Sequence, residues 1–210
     1  MENEVPIVVS DYENCVRCPD LCEHRGSIVW GYGVPTAPIF LLGEGPGASE
    51  DKKGVPFCGN AGDKLWEMLE EAHIPTSLIY TSNAVLCRAM RALADSGRVE
   101  NRKPTTAEIQ NCRPRLMREL EKVDPFIIVA LGGAALASLV GKDIPMKRVL
   151  GKVFDVKIRT RNDYEVRYPV MPCYHPSYFL KGTHPEDHYL HSVGALKFVK
   201  KIVDFAMGNG

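Results

Sequence analysis

Ile39-Phe40-Leu41-Leu42-Gly43-Glu44-Gly45-Pro46-Gly47 joins a wholly apolar run to a turn rich in glycine and proline. Four consecutive apolar residues bounded by turn formers predict a short buried strand, and the glycines fall where that strand opens into a loop. The loop continues through Glu50-Asp51 to Gly54-Val55-Pro56-Phe57-Cys58-Gly59-Asn60-Ala61-Gly62. So dense a set of glycines and prolines predicts no helix. It lets main-chain N–H groups approach something flat or anionic, with Phe57 the only aromatic face in the segment. A ligand is therefore expected at the end of this strand.

Outward from that stretch, Leu65, Met68, Leu69 and Ala72 recur at helical spacing within Lys64 to Ala72. Leu78 to Cys87 reads as a second strand, broken at Thr81-Ser82-Asn83, where Asn83 either forms a turn or reads a ligand. Phe126 to Leu131, between Pro125 and Gly132-Gly133, predicts a central strand covered on both faces, with a short helix from Ala134 to Val140. Residues 149–170 alternate apolar and polar about a turn at Arg161-Asn162-Asp163, predicting an edge hairpin. Val170 to Tyr174 then leads into His175-Pro176-Ser177-Tyr178-Phe179-Leu180-Lys181, and Asp187 to Met207 closes the chain as an amphipathic helix. Strands alternating with helices predict a three-layer α/β/α sandwich around a central, mostly parallel four-stranded sheet, in one domain over residues 1–210. Sites in such sheets lie at strand ends. The glycine loop, Asn83 and His175 all follow predicted strands.

Lys+Arg and Asp+Glu balance at 26 each in 210 residues, so no global field draws the protein to nucleic acid or membrane. No apolar run approaches the roughly 18 residues of a membrane span, and the acidic start lacks the order of a signal peptide. An intracellular monomer is expected, with residues 1–12 a flexible lead-in. Any field is local: residues 88–104 form a basic loop excursion, and between 87 and 118 eight Arg or Lys face three acids.

Seven cysteines, an odd number without a secretory signal, argue against a disulfide framework and for metal. Cys15-Val16-Arg17-Cys18 is a knuckle whose two-residue spacer aims both sulfurs at one metal, as zinc sites and iron–sulfur clusters both require. Cys22 follows closely. Cys87 ends the second strand, and Cys112 sits on a helix opened by the capping box Thr105-Thr106-Ala107-Glu108, with Pro114 expected to kink it.

Gly43-Glu44-Gly45-Pro46-Gly47, Gly54-Val55-Pro56-Phe57, Gly59-Asn60-Ala61-Gly62, Asn83 before Cys87-Arg88, Asn101-Arg102-Lys103-Pro104 and His175-Pro176-Ser177 together resemble the family 4 uracil-DNA glycosylases, in unbroken order from about Cys15 to Lys181. The resemblance implies a 4Fe-4S cluster on Cys15, Cys18, Cys87 and Cys112, leaving Cys22, Cys58 and Cys173 as non-ligands. It implies hydrolysis of the N-glycosidic bond of uracil in DNA, with uracil-containing DNA as the partner. Phe57 would stack on the flipped base, Asn83 would pair with uracil O4 and N3–H, and His175 would donate to O2. Glu44 and the Gly45 backbone would face the sugar and the attacking water, and Glu50 the C5 edge, excluding thymine's methyl. Ser177 would contact substrate, and Tyr178, Phe179 and Leu180 would wedge into the vacated stack. One departure is a longer segment between Cys87 and Cys112, around Ala92 to Glu100. The rival readings are a DNA-binding module that has lost its chemistry, a relative covalently trapped on the abasic site, and a zinc-ribbon protein.

Overall fold

The computed structural model describes residues 4–92, 98–159, 163–182 and 184–208. In chain order the strands are β1 (Val5–Pro6), β2 (Tyr32–Gly33), β3 (Ile39–Gly43), β4 (Ile79–Asn83), β5 (Met90–Ala92), β6 (Val99–Asn101), β7 (Ile127–Leu131), β8 (Phe154–Arg159) and β9 (Glu165–Cys173). The helices are α1 (Pro19–His24), α2 (Ala48–Lys53), α3 (Asn60–Glu71), α4 (Thr106–Val123), α5 (Gly133–Val140) and α6 (Glu186–Ala206).

The apolar runs form the parallel centre of one sheet in the order β4-β3-β7-β9, with Ile39 opposite both Ile79 and Ile127. Every residue of β3 and β7 is buried, because helices cover both faces. Alternation along β3 divides it between two cores. Ile39 and Leu41 meet Leu65, Met68, Leu196 and Val199 of α3 and α6, while Phe40 and Leu42 meet Leu116, Leu120, Leu136 and Leu139 of α4 and α5. This is the expected sandwich and its four-stranded parallel centre. Antiparallel β2 and β1 extend it beyond β4, and β8 extends it beyond β9, to seven strands.

Three expectations are corrected. Residues from 4 onward are not a flexible lead-in: β1 pairs with β2, Ile7, Val9 and Tyr12 are buried, and the Ile7 N–H donates to Tyr80 Oη at 3.1 Å. The two-residue strands are too short to show a period. The basic excursion is not irregular throughout, since β5 and β6 pair as an antiparallel ribbon from Met90↔Asn101 to Ala92↔Val99. Residues 93–97 of that excursion, and Arg161-Asn162 of the edge hairpin, lie outside the described residues. The glycine loop does hold a helix, α2, because Gly47 caps its start and Gly54, at φ 73°, ends it. The glycines bracket the helix and do not interrupt it. Among the described residues no helix is long and apolar enough to cross a membrane.

Candidate active site and cysteine cavity

The parallel strands bring their C-terminal ends to one side of the sheet, where the loops enclose a cleft of about 750 Å³. Glu44 and Gly45 follow β3, Asn83 ends β4, Gly132 follows β7 and His175 follows β9. All five line the cleft, together with Glu50, Phe57, Ser177, Tyr178 and Leu180.

Asn83 is only 3 % exposed and lines the cleft, and no described residue hydrogen-bonds its carboxamide. Phe57 has φ 53°, a left-handed backbone that a bulky residue adopts only under constraint. The constraint is visible: Trp66 Nε1 donates to the Phe57 carbonyl at 3.0 Å, and Gly62 packs so close to that carbonyl that a Cβ would overlap it. The Phe57 ring lies against the end of β3, its Cζ 2.6 Å from where a Gly43 Cβ would stand. Gly45 is equally confined, since a Cβ there would meet Val85 Cγ2 at 2.8 Å.

At His175, the Ser177 N–H donates to Nδ1 at 3.2 Å and Ser177 Oγ lies 2.8 Å from the same nitrogen. An Nδ1 that accepts carries no proton, so the neutral ring holds its proton on Nε2. Burial pushes the ring's pKa down to about 4, so neutrality holds through the physiological range. Glu44 is shifted the other way: burial raises its carboxyl above the usual carboxylate range, with Lys103 pulling it back down. Lys103 belongs to the basic wall Asn101-Arg102-Lys103-Pro104. There Arg102 clasps Glu108 with two bonds of 2.7 and 2.8 Å, and Thr105 with Glu108 forms the expected capping box.

Two predicted roles change. Glu50 does not present a free carboxylate edge, because Oε1 accepts from the Gly59 N–H at 3.0 Å and Oε2 from the Gly47 N–H at 3.1 Å. It clasps the two glycine turns together. Phe179 is no wedge: it is buried in the core, edge-on to Tyr174, His184 and Tyr189. The 3-10 turn Pro176–Lys181 sends Tyr178 and Leu180 outward and Phe179 inward. Tyr178 is itself held, its ring stacked on Tyr174 at 5.0 Å and its Oη 3.0 Å from His188 Nδ1.

A second, smaller cavity is lined by five cysteines, Cys15, Cys18, Cys22, Cys87 and Cys112. Cys58 lines the glycine loop and Cys173 is buried in β9, so neither reaches it. Among the described residues no three metal-ligating side chains converge closely enough for a single ion. Five thiols around one cavity offer one more than the four a cluster takes, one sulfur per metal from several sides. Donors already point at the sulfurs. Arg25 Nη1 lies 3.2 Å from Cys22 Sγ and 3.3 Å from Cys87 Sγ, Asn111 Nδ2 3.5 Å from Cys18 Sγ, and Arg115 Nη2 3.5 Å from Cys112 Sγ. Such contacts stabilise ligating thiolates. Arg25, Asn111 and Arg115 escaped the sequence reading, although Cys112-Arg115 has the i,i+3 spacing that puts two side chains on one helical face.

A sequence profile of the uracil DNA glycosylase superfamily matches residues 30–197. The chain is 36 % identical over 182 residues to the type-4 uracil-DNA glycosylase of Thermotoga maritima, covering 86 % of this chain and 85 % of that one. It is 32 % identical over 186 residues to the type-4 uracil-DNA glycosylase of Archaeoglobus fulgidus, covering 87 % and 86 %. Against a type-5 uracil-DNA glycosylase of Pyrobaculum aerophilum the identity is 26 % over 152 residues, covering 58 % and 63 %. The likeness to the type-4 proteins covers more than four fifths of each chain, and the chain thus belongs to the uracil-DNA glycosylase superfamily, in its type-4 family.

Proposed function

We propose that this chain, acting as one domain, hydrolyses the N-glycosidic bond of uracil in DNA and leaves an abasic site for base excision repair. The observation that carries the reading is the meeting of Phe57, Asn83 and His175 around one cleft, each matched to a different part of the base. The target base must first leave the stack, at a cost of a few kcal/mol. Exposed Tyr178 and Leu180 at the cleft rim are the groups to fill the gap, with Phe179 anchoring their turn. Phe57 offers the flipped base a π face. The Asn83 carboxamide donates to O4 and accepts from N3–H, a pattern that cytosine reverses.

As the glycosidic bond breaks, its electron pair leaves with uracil and the sugar becomes oxocarbenium-like. Negative charge collects on O2. His175, neutral with its proton on Nε2, donates to that oxygen, an electrostatic contribution worth on the order of 10²–10³ in rate. Water adds to the sugar carbon and gives up a proton, for which Glu44 is the carboxylate beside the cleft. Lys103 and the wall around it meet the phosphates.

Of the five cysteines in the cavity, Cys15, Cys18, Cys87 and Cys112 would hold a 4Fe-4S cluster, as the type-4 resemblance implies, and donors already meet the sulfurs of Cys18, Cys87 and Cys112. Bound there, the cluster supplies cross-linking and no redox step. It ties the N-terminal knuckle to the end of the β4 segment and to α4. The rival of a binding module without chemistry is answered by incubating the protein with a single-uracil oligonucleotide, followed by alkali. Scission at the uracil, lost in Asn83→Ala, is expected. No scission by cluster-bearing protein would leave the binding module standing, and a protein–DNA adduct on a denaturing gel would reveal the trapping relative.

A further inference from the structure

Arg115 is fully buried on α4, three residues beyond Cys112, and it serves two sites at once. Its Nη2 donates to the Asn83 carbonyl at 2.6 Å and the Ala84 carbonyl at 3.2 Å, and lies 3.5 Å from Cys112 Sγ. Its Nη1 donates to Glu119 Oε2 at 2.6 Å and Ser82 Oγ at 3.0 Å. The other side of the same peptide is held by β3, where the Ala84 N–H donates to the Gly43 carbonyl at 2.9 Å. A guanidinium is planar and always charged, so its fork fixes directions as well as distances. The fork grips the backbone of the base-reading residue and a cluster-side cysteine together.

We propose that Arg115 is a positioning residue, the link through which the cysteine cluster fixes the peptide after Asn83 and thereby the aim of its carboxamide. The proposal rests on the uracil-reading role assigned to Asn83 above. It predicts that base discrimination depends on the cluster although the cluster touches no substrate.

The test is Arg115→Lys in the cluster-bearing protein, whose ammonium keeps the charge but has no second nitrogen to hold Glu119 and Ser82 while the first holds the two carbonyls. Where that variant does not fold, Glu119→Gln, which removes the charge that holds Nη1 and leaves it Ser82, takes its place. Amide hydrogen exchange at Ala84 and Val85 is compared with exchange at Ile128 in the sheet centre. Exchange at Ala84 and Val85 is expected to rise tenfold or more with Ile128 unchanged and absorbance near 400 nm retained, and removing the cluster from wild type should raise the same two amides. Parallel rises at all three sites, or no rise at Ala84 and Val85, would overturn the proposal. Activity supplies a second readout: kcat/KM on a single-uracil oligonucleotide should fall at least tenfold, and the preference for uracil over cytosine should shrink with it. A wild-type protein inactive on uracil would sink the glycosylase reading, while the exchange comparison would still decide the role of Arg115.

Discussion

The tautomer of His175 is set by one backbone N–H, that of Ser177, and this decides how the site responds to acid. With its pKa near 4, His175 stays neutral while an unfolded chain would take up a proton around 6.5. The folded protein therefore loses stability as pH falls from about 6.5 towards 4, visible as a declining urea midpoint, and His175→Asn should flatten that decline. Glu44 titrates above its ordinary range, so kcat/KM is expected to carry an acid limb above pH 4.5 that disappears in Glu44→Gln. A limb that survives the substitution would assign the base elsewhere. Gly43→Ala is a sharper intrusion. Its Cβ would overlap Asn83 Oδ1 and approach Phe57 Cζ to 2.6 Å, so both side chains must turn, and uracil excision should drop at least tenfold alongside a stability loss of about 1–3 kcal/mol. The meeting of Asn83, Phe57 and His175 was legible in the sequence because each follows a strand or a glycine turn, and strand ends converge. Arg115 was not, since an Arg four residues before a Glu on a helix reads as an exposed pair. Only the tertiary packing reveals that both side chains are fully buried.

At the scale of elements, α2 and the start of α3 form one brace. Glu50 satisfies the N–H groups of Gly47 and Gly59, each at a helix start, with one carboxylate. Glu50→Ala is expected to cost about 1.5–3 kcal/mol, measured by urea unfolding, because two charge-assisted bonds are lost together. Thymine in DNA should remain uncut by this variant. Thymine excision would return Glu50 to the C5 edge of the base. The brace was hidden in the sequence by its cap, since glycine at the first position has no side chain to signal a capping box, whereas Thr105 with Glu108 announced the start of α4. The inward turn of Phe179 was hidden for a related reason. In a 3-10 turn neighbouring aromatic side chains point different ways, and composition alone makes Tyr178, Phe179 and Leu180 look alike.

Across the whole molecule, a formally neutral chain must hold DNA through a local surface. The salt dependence of binding should accordingly be modest, and Lys103→Ala should lower the slope of log affinity against log salt by about 1 without changing base preference. The sandwich itself was readable from four apolar runs, and the two cores on its faces follow from their alternation. What the chain kept back were its edges, β1 and β2, where two residues each suffice to pair. Only three residues separate the cleft residue Asn83 from Cys87, and beyond Cys87 the ribbon closes again at Met90↔Asn101. For the evolution of the family this spacing has an unequal consequence. An insertion between 84 and 86 would shift Asn83 against Cys87 in one step, whereas residues added past Ala92 lie beyond a ribbon whose base is already shut. Length can thus change beyond Ala92, and an engineer can graft there, while the three-residue tether stays fixed.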